Sequence, residues 1–224
     1  MGLSMQPGSL VIRFAAALLN LLSPSRCAAC DGETREPTGF CASCGSVVPA
    51  PPTEVGKIPV FAAGLYEHPL VPALVAFKYQ GRPELARTLA TLIRPQTTAL
   101  TLTARDAWVP VPLHPARLAE RGYNQAALLA RELARGTPAP VLPRLLARKS
   151  ATQRQASLKR DERVSNVVGA FVVRSKRRPE RVVLVDDVVT TGATAKACIA
   201  ALAARGIPVI AVAAVARSLP GSAA

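Results

Sequence analysis

The sequence predicts an α/β protein: a mostly parallel sheet flanked by helices, preceded by a small four-cysteine knuckle. Three observations carry this expectation. Half of the 224 residues are hydrophobic, enough for the core of one full domain with a small appendage. From residue 60 onward, short β-branched runs alternate with helix-like stretches. Ahead of them, four of the five cysteines stand as two C-x-x-C pairs.

Taken in chain order, Leu10 to Leu22 is apolar apart from Arg13 and Asn20. It lacks a basic leading region and is too short to span a bilayer. Phe14, Ala17, Leu18, Leu21 and Leu22 share one helical face, so residues 1–23 read as an amphipathic helix packing on the protein or lightly on a membrane surface. No transmembrane segment is expected. A cytoplasmic location follows, with room for peripheral contact at the inner membrane face.

Residues 24–50 hold Cys27-x2-Cys30-x10-Cys41-x2-Cys44. That is the ligand spacing of a structural tetrathiolate zinc site, each pair closing a tight turn along one edge of the tetrahedron. Disulfides would need an oxidising compartment, for which no export signal is seen. A redox C-x-x-C would stand alone. Gly32, Gly39 and Gly45 are placed to give the turns backbone freedom. Prolines then make residues 51–59 read as an extended linker.

In the domain over 60–217, Val60 to Tyr66, Ala107 to Val111, Gly169 to Val173, Val182 to Val185 and Val209 to Val215 read as strands. Leu70 to Tyr79, Pro83 to Ile93, Asn124 to Arg135 and Ala195 to Arg205 read as helices. Cys198 falls on the last helix as a small core residue. Residues 218–224 read as a disordered tail.

One run carries the most chemistry. After the strand Val182 to Val185 come Asp186 and Asp187, then Val188, Val189 and a Thr190-Thr191-Gly192-x-Thr194 turn that opens a helix. In open α/β sheets, ligands bind at the carboxyl ends of strands. A glycine, small hydroxyl residues and a helix N-terminus suit a phosphate. Two carboxylates beside it would repel that phosphate, so they should face sugar hydroxyls or a phosphate-bound Mg²⁺. Asp and Thr also cap helices, which is the plainer reading. A phosphate at one end and hydroxyls at the other describe a ribose 5-phosphate. The run resembles the signature of type I phosphoribosyltransferases for phosphoribosyl pyrophosphate (PRPP). By that resemblance Asp186 and Asp187 hold the ribose 2- and 3-hydroxyls. Thr190, Thr191, Gly192 and Thr194 hold the 5-phosphate, with Val188 and Val189 completing the segment.

Two further segments are polar where a core has no need of it. Val109 to Gln125 runs from a strand end through a proline-fixed loop into a helix, with Arg117 and Arg121 four residues apart. Paired guanidiniums suit bidentate phosphate binding. His114 could assist a leaving group or could simply be a hydrogen-bonding loop residue. Arg148 to Phe171 is basic and reads as a mobile flap.

Arg-Gly-Tyr-Asn-Gln after Val-Pro-Val-Pro, the Thr-Gln-x-Gln segment, the Asn-x-x-Gly-Ala-Phe closure and Phe77-Lys78-Tyr79-x-Gly81 together resemble the ComF/GntX family over residues 18–217. The resemblance implies a phosphoribosyltransferase domain behind a zinc-ribbon-like knuckle ligated by Cys27, Cys30, Cys41 and Cys44. It also implies a pyrophosphate loop with Leu113, His114, Arg117 and Arg121, and a flap with Arg148, Lys149, Gln153, Gln155, Arg163 and Asn166. Asp186, Asp187 and Arg121 would carry catalysis, with structural Zn²⁺ and with Mg²⁺ accompanying PRPP. The family's link to natural competence implies single-stranded DNA and other competence proteins as partners.

Charge bears on the same choice. The formal net charge is +14, and residues 144–181 hold twelve Arg or Lys against three acids. That is a solvated basic face, or a surface for polyphosphate or nucleic acid. Aromatics at 4% argue against sequence-tolerant binding of single strands by stacking. Two functions therefore compete: a Mg²⁺-assisted phosphoribosyl transferase, and a non-catalytic DNA-handling protein on the same fold.

Overall fold

The computed structural model describes residues 26–34, 39–149 and 169–219. The expected helix over 1–23, flap residues 150–168 and tail residues 220–224 lie outside these. In chain order the elements are β1 (Thr53–Val55), β2 (Ile58–Leu65), α1 (Leu70–Tyr79), α2 (Leu85–Thr97), β3 (Ala107–Pro110), α3 (Pro115–Arg121), α4 (Gln125–Ala134), β4 (Leu146–Arg148), β5 (Phe171–Val173), β6 (Val182–Val185), β7 (Val188–Val189), α5 (Ala193–Ala203) and β8 (Val209–Arg217).

The main sheet runs β1-β2-β8-β6-β3, with β7 also on β8. Strands β2, β8, β6 and β3 are parallel, and β1 lies antiparallel on the β2 edge. Burial on both faces explains why β6 is apolar throughout. Its residues alternate between two cores. Val183 and Val185 join Trp108, Phe77 and Leu129 on the side of α1, α2 and α4. Val182 and Leu184 join Cys198, Leu202 and Phe171 on the side of α5. Cys198 is thus the buried core residue its position suggested. At the amino ends of the strands, Arg181 clamps buried Asp106 through two 2.8 Å hydrogen bonds. That guanidinium holds the Asp106 carboxyl down at about 2.

Two expectations need correction. Residues 53–55 are not linker: Thr53 pairs with Val60 and Val55 with Ile58, closing a hairpin over Gly56 and Lys57. Gly56, at φ +70°, supplies the left-handed conformation that a two-residue hairpin loop needs. Val55 points inward and is buried. The predicted strand Gly169 to Val173 does form, as β5, but outside the main sheet. It pairs antiparallel with β4 in a separate ribbon, which rests on the α5 side through Leu146 and Phe171. No helix among the described residues is long and apolar enough to cross a membrane.

Candidate functional site

The candidate site gathers at the carboxyl end of β6. The strand ends at Val185, as its sequence suggested, and a second short strand follows the acids. Val185 pairs with Ala213 and Val188 with Ala216, so β6 and β7 form one path along β8, interrupted only by the two acids. Backbone hydrogen bonds pin that interruption. Asp186 N donates to Ala213 O at 2.9 Å, and Asp187 O accepts from Val215 N and Ala216 N at 3.1 and 3.2 Å.

The two side chains live in different electrostatic environments. Asp187 Oδ1 lies 3.1 Å from Lys78 Nζ at the end of α1. Asp186 Oδ1 accepts from Asp187 N at 2.9 Å. Burial, and then the adjacent Asp187 charge, push the Asp186 carboxyl up to about 8, against the pull of that N–H and of Lys78. The Asp186 carboxyl is thereby biased toward its protonated form, as a close like charge favours. A protonated acid donates and an ionised one accepts, which suits a pair of vicinal hydroxyls.

The turn follows at once. Thr190 and Thr191 are exposed, while Gly192 is buried at φ +74°. A Cβ there would stand 2.8 Å from Val55 Cγ2, so β1 closes the back of this turn. Thr191 Oγ1 accepts from Ala193 N at 3.4 Å, and Thr194 sits in the first turn of α5. The first N–H groups of a helix have no intrahelical acceptor, so the turn and α5 together offer donors and a positive dipole end.

From the neighbouring strand, Val111 N donates to Val185 O at 2.8 Å, and the chain passes Leu113 to His114. His114 caps α3, its Nδ1 accepting from Ala116 N at 3.3 Å. Arg117 and Arg121 share that short helix but not an environment. Arg117 is exposed. Arg121 donates to Tyr79 OH at 2.9 Å and Gln125 Oε1 at 3.2 Å, with its guanidinium carbon 4.6 Å from the Tyr79 ring centre. Arg148 stacks over Phe171 at 5.6 Å. Burial, and then the Arg117 charge, lower its pKa. Lys149 is exposed. Gln153, Gln155, Arg163 and Asn166 lie outside the described residues.

Sequence reasoning gave Lys78 and Tyr79 no role. The signal was present as Phe77-Lys78-Tyr79-x-Gly81, but only folding brings α1 to the acids. A cavity of about 490 Å³ between the ends of α2 and α4 lies at the other end of the sheet. Its Arg94 is spent on the last carbonyls of α4, donating to Glu132 O and Arg135 O.

At the knuckle, all four sulfurs lie within 4.8 Å of one another. Cys30 Sγ and Cys41 Sγ are 3.7 Å apart, close to the edge of about 3.8 Å that a tetrahedron of 2.3 Å zinc–sulfur bonds requires. Burial raises the Cys27 thiol, but backbone N–H groups, Cys41 N among them at 3.4 Å, outweigh it and bring the group to about 6. The four cysteines can therefore hold a metal ion, and a thiolate is favoured at Cys27. The left-handed residue of the first turn is Asp31, at φ +62°, rather than Gly32. Cys27, Ala28 and Phe40 pack into the same core as Leu70 and Phe77.

No protein-family model matches the chain. Competence protein F of Haemophilus influenzae is 38% identical over 138 residues, covering 58% of this chain and 60% of that one. DNA utilization protein YhgH of Escherichia coli K12 is 32% identical over 184 residues, covering 75% of this chain and 79% of that one. The chain belongs to the ComF family. This ComF family member thus spans about 60% of the length of the Haemophilus protein and most of YhgH. Among solved structures, adenine phosphoribosyltransferase from Leishmania donovani covers 72% of each chain at 15% identity, with a TM-score of 0.39.

Proposed function

We propose that this ComF family member binds PRPP and transfers its phosphoribosyl group to an acceptor, with release of pyrophosphate, in a cell's handling of DNA. The observation that carries the reading is the pinned acid pair followed within one turn by the glycine-hinged opening of α5. Vicinal ribose hydroxyls would meet Asp186 and Asp187, and the 5-phosphate would meet Thr190 to Thr194. In the reaction the bond from C1 of the ribose to pyrophosphate oxygen breaks, the electron pair leaves with pyrophosphate, and the acceptor's lone pair forms the new bond at C1. Arg117 and Arg148 would offset the charge gathering on the leaving group. Positioning and electrostatics do most of the work in such a step.

Mg²⁺ fits here as the substrate's companion. An Asp186 biased toward its protonated form and a lysine-paired Asp187 offer little net negative charge. The ion would therefore be held mainly by pyrophosphate oxygens and water, as Mg²⁺ prefers. It would supply neutralisation of the leaving group's charge. At the knuckle, the sulfur spacing supports structural Zn²⁺.

The names of the relatives, competence protein F and DNA utilization protein YhgH, support a DNA-related role. A second reading, a surface for single-stranded DNA, is favoured by exposed Arg174, Lys176, Arg177 and Arg178 on the loop between β5 and β6. Isothermal titration of the zinc-loaded protein with PRPP tests the first reading. Micromolar binding that requires Mg²⁺ is expected. No detectable binding would overturn it and leave the DNA reading in front.

A further inference from the structure

We propose that Arg217, at the end of β8, is a phosphate-binding residue of the candidate site and holds the substrate's 5-phosphate beside the Thr190 turn. The inference rests on the phosphoribosyl reading and adds a cation that neither the acid-and-turn run nor the pyrophosphate loop contains. Its placement comes from strand pairing. Val189, the residue before the turn, pairs with Arg217 across β7 and β8. The residues on either side of Arg217 fasten the same segment: Ala216 N donates to Asp187 O at 3.2 Å, and Ser218 N donates to Val189 O at 3.0 Å. Paired residues of a parallel ladder direct their side chains to one face of the sheet. Val189 is buried on the α5 side with Val55, Ala195 and Cys198. Arg217 therefore rises on that side as well, the face on which the turn opens α5.

The guanidinium is unspent. Six of the described arginines are half-buried: Arg82, Arg94, Arg121, Arg148, Arg181 and Arg217. Arg82 and Arg181 pair with carboxylates, Arg94 holds helix carbonyls, Arg121 holds Tyr79 and Gln125, and Arg148 lies over Phe171. The Arg217 guanidinium has no hydrogen bond, ion pair or ring contact with any described residue. Its Nε is enclosed by protein and still lacks an acceptor. A shielded cationic donor without a partner is costly, and an anion on the same guanidinium would offset that cost. The choice of anion follows from the sheet order β2-β8-β6-β3. Arg217 stands on β8, next to the turn that follows β7. The pyrophosphate loop follows β3, two strands away from β8, about 10 Å at the usual strand spacing. A guanidinium presents paired donors to phosphate oxygens, and the turn presents backbone donors. The two would hold different oxygens of one phosphate.

The test uses the full zinc-loaded chain with Mg²⁺ and titrates PRPP, ribose 5-phosphate and inorganic pyrophosphate into wild type, Arg217→Gln and Arg217→Lys. Arg217→Gln should lose about tenfold in affinity for PRPP and for ribose 5-phosphate, equivalent to about 1.4 kcal/mol, with pyrophosphate affinity unchanged. Arg217→Lys should recover part of the loss, because it keeps the charge without the fork of donors. A second readout follows the bound phosphate itself. In phosphorus NMR spectra of ribose 5-phosphate on the saturated protein, wild type should hold the dianion to lower pH than Arg217→Gln, because an adjacent cation favours the charged form. The proposal is overturned if ribose 5-phosphate affinity is unchanged in Arg217→Gln, or if pyrophosphate affinity falls equally. A bound phosphate that titrates alike in the two proteins would overturn it too, since a purely structural arginine would give that result. Failure of wild type to bind either PRPP or ribose 5-phosphate would remove the phosphoribosyl reading, and the proposal with it, a pattern distinct from the others.

Discussion

Asp186 and Asp187 are adjacent in sequence yet sit in different surroundings, and the reason is local. Lys78 stands 3.1 Å from Asp187, while Asp186 is half-buried and shares the field of its neighbour. The consequence for stability has a definite sign. In the folded chain the Asp186 carboxyl is raised to about 8, whereas in the unfolded chain it sits near its ordinary value of about 3.9. Between those values the folded state holds a proton that the unfolded state does not, so stability falls as pH rises through the window. Asp186→Asn removes the titrating group and keeps the hydrogen-bonding shape. Its melting temperature should therefore exceed wild type at pH 8 by about 2–4 °C for each 1 kcal/mol relieved, with little difference at pH 4. Parallel melting curves for the two proteins across that range would defeat the assignment. PRPP affinity should fall in the same variant, because an amide lacks the second acceptor oxygen of a carboxylate.

At the scale of elements, the site depends on a hairpin that reads poorly from sequence. The two prolines before Thr53 suggest an extended spacer, yet Val55-Gly56-Lys57-Ile58 is a two-residue hairpin signal, and the structure uses it. Val55 then backs the Gly192 turn. Gly192→Ala must place a Cβ 2.8 Å from Val55 Cγ2 at φ +74°. The backbone strain alone costs about 1–2 kcal/mol, so that variant should lose stability and more than tenfold in PRPP affinity. Gly136→Ala, at φ +81° with open space around it, carries the strain without the collision and should leave PRPP binding intact. Equal PRPP affinities in the two variants would show that the β1 contact does not shape the turn. The same scale explains what was legible. β6 and β8 could be read because burial on both faces leaves only apolar residues. The acid pair and its turn could be read because they are contiguous. The partner of β5, and the approach of Lys78 to the acids, depend on pairings between distant segments, which local pattern does not encode. The knuckle lies between these cases. Its spacing announced a metal site, but not that Phe40 and Cys27 complete the core beneath α1. Replacing Cys27 and Cys30 by Ser should therefore remove one bound metal ion per chain and also lower the melting temperature of the whole protein. Full metal content in that variant would refute the tetrathiolate site.

Over the whole molecule, the two readings occupy opposite ends of one sheet. The acids and the α5 turn lie at the carboxyl end of β6. The loop carrying Arg174, Lys176, Arg177 and Arg178 feeds its amino end, where Arg181 and Asp106 fasten β6 to β3. A net charge of +14 draws any polyanion, so affinity for DNA by itself says little about where it binds. Salt dependence is more discriminating, because each phosphate contact on a single strand adds about 0.7 to the slope of log affinity against log salt. Changing the four cations to Gln should reduce that slope by up to about 3 and leave PRPP binding unchanged. Asp186→Asn combined with Asp187→Asn should do the reverse, abolishing PRPP binding while DNA affinity stays within about threefold, a shift of less than ~1 kcal/mol. An unchanged salt slope in the first variant would exclude the loop as a DNA contact. A joint loss of both affinities in the second, with the fold intact by melting, would mean that DNA enters the phosphoribosyl site. In that event the acceptor to be sought is a base within a strand, not a free one.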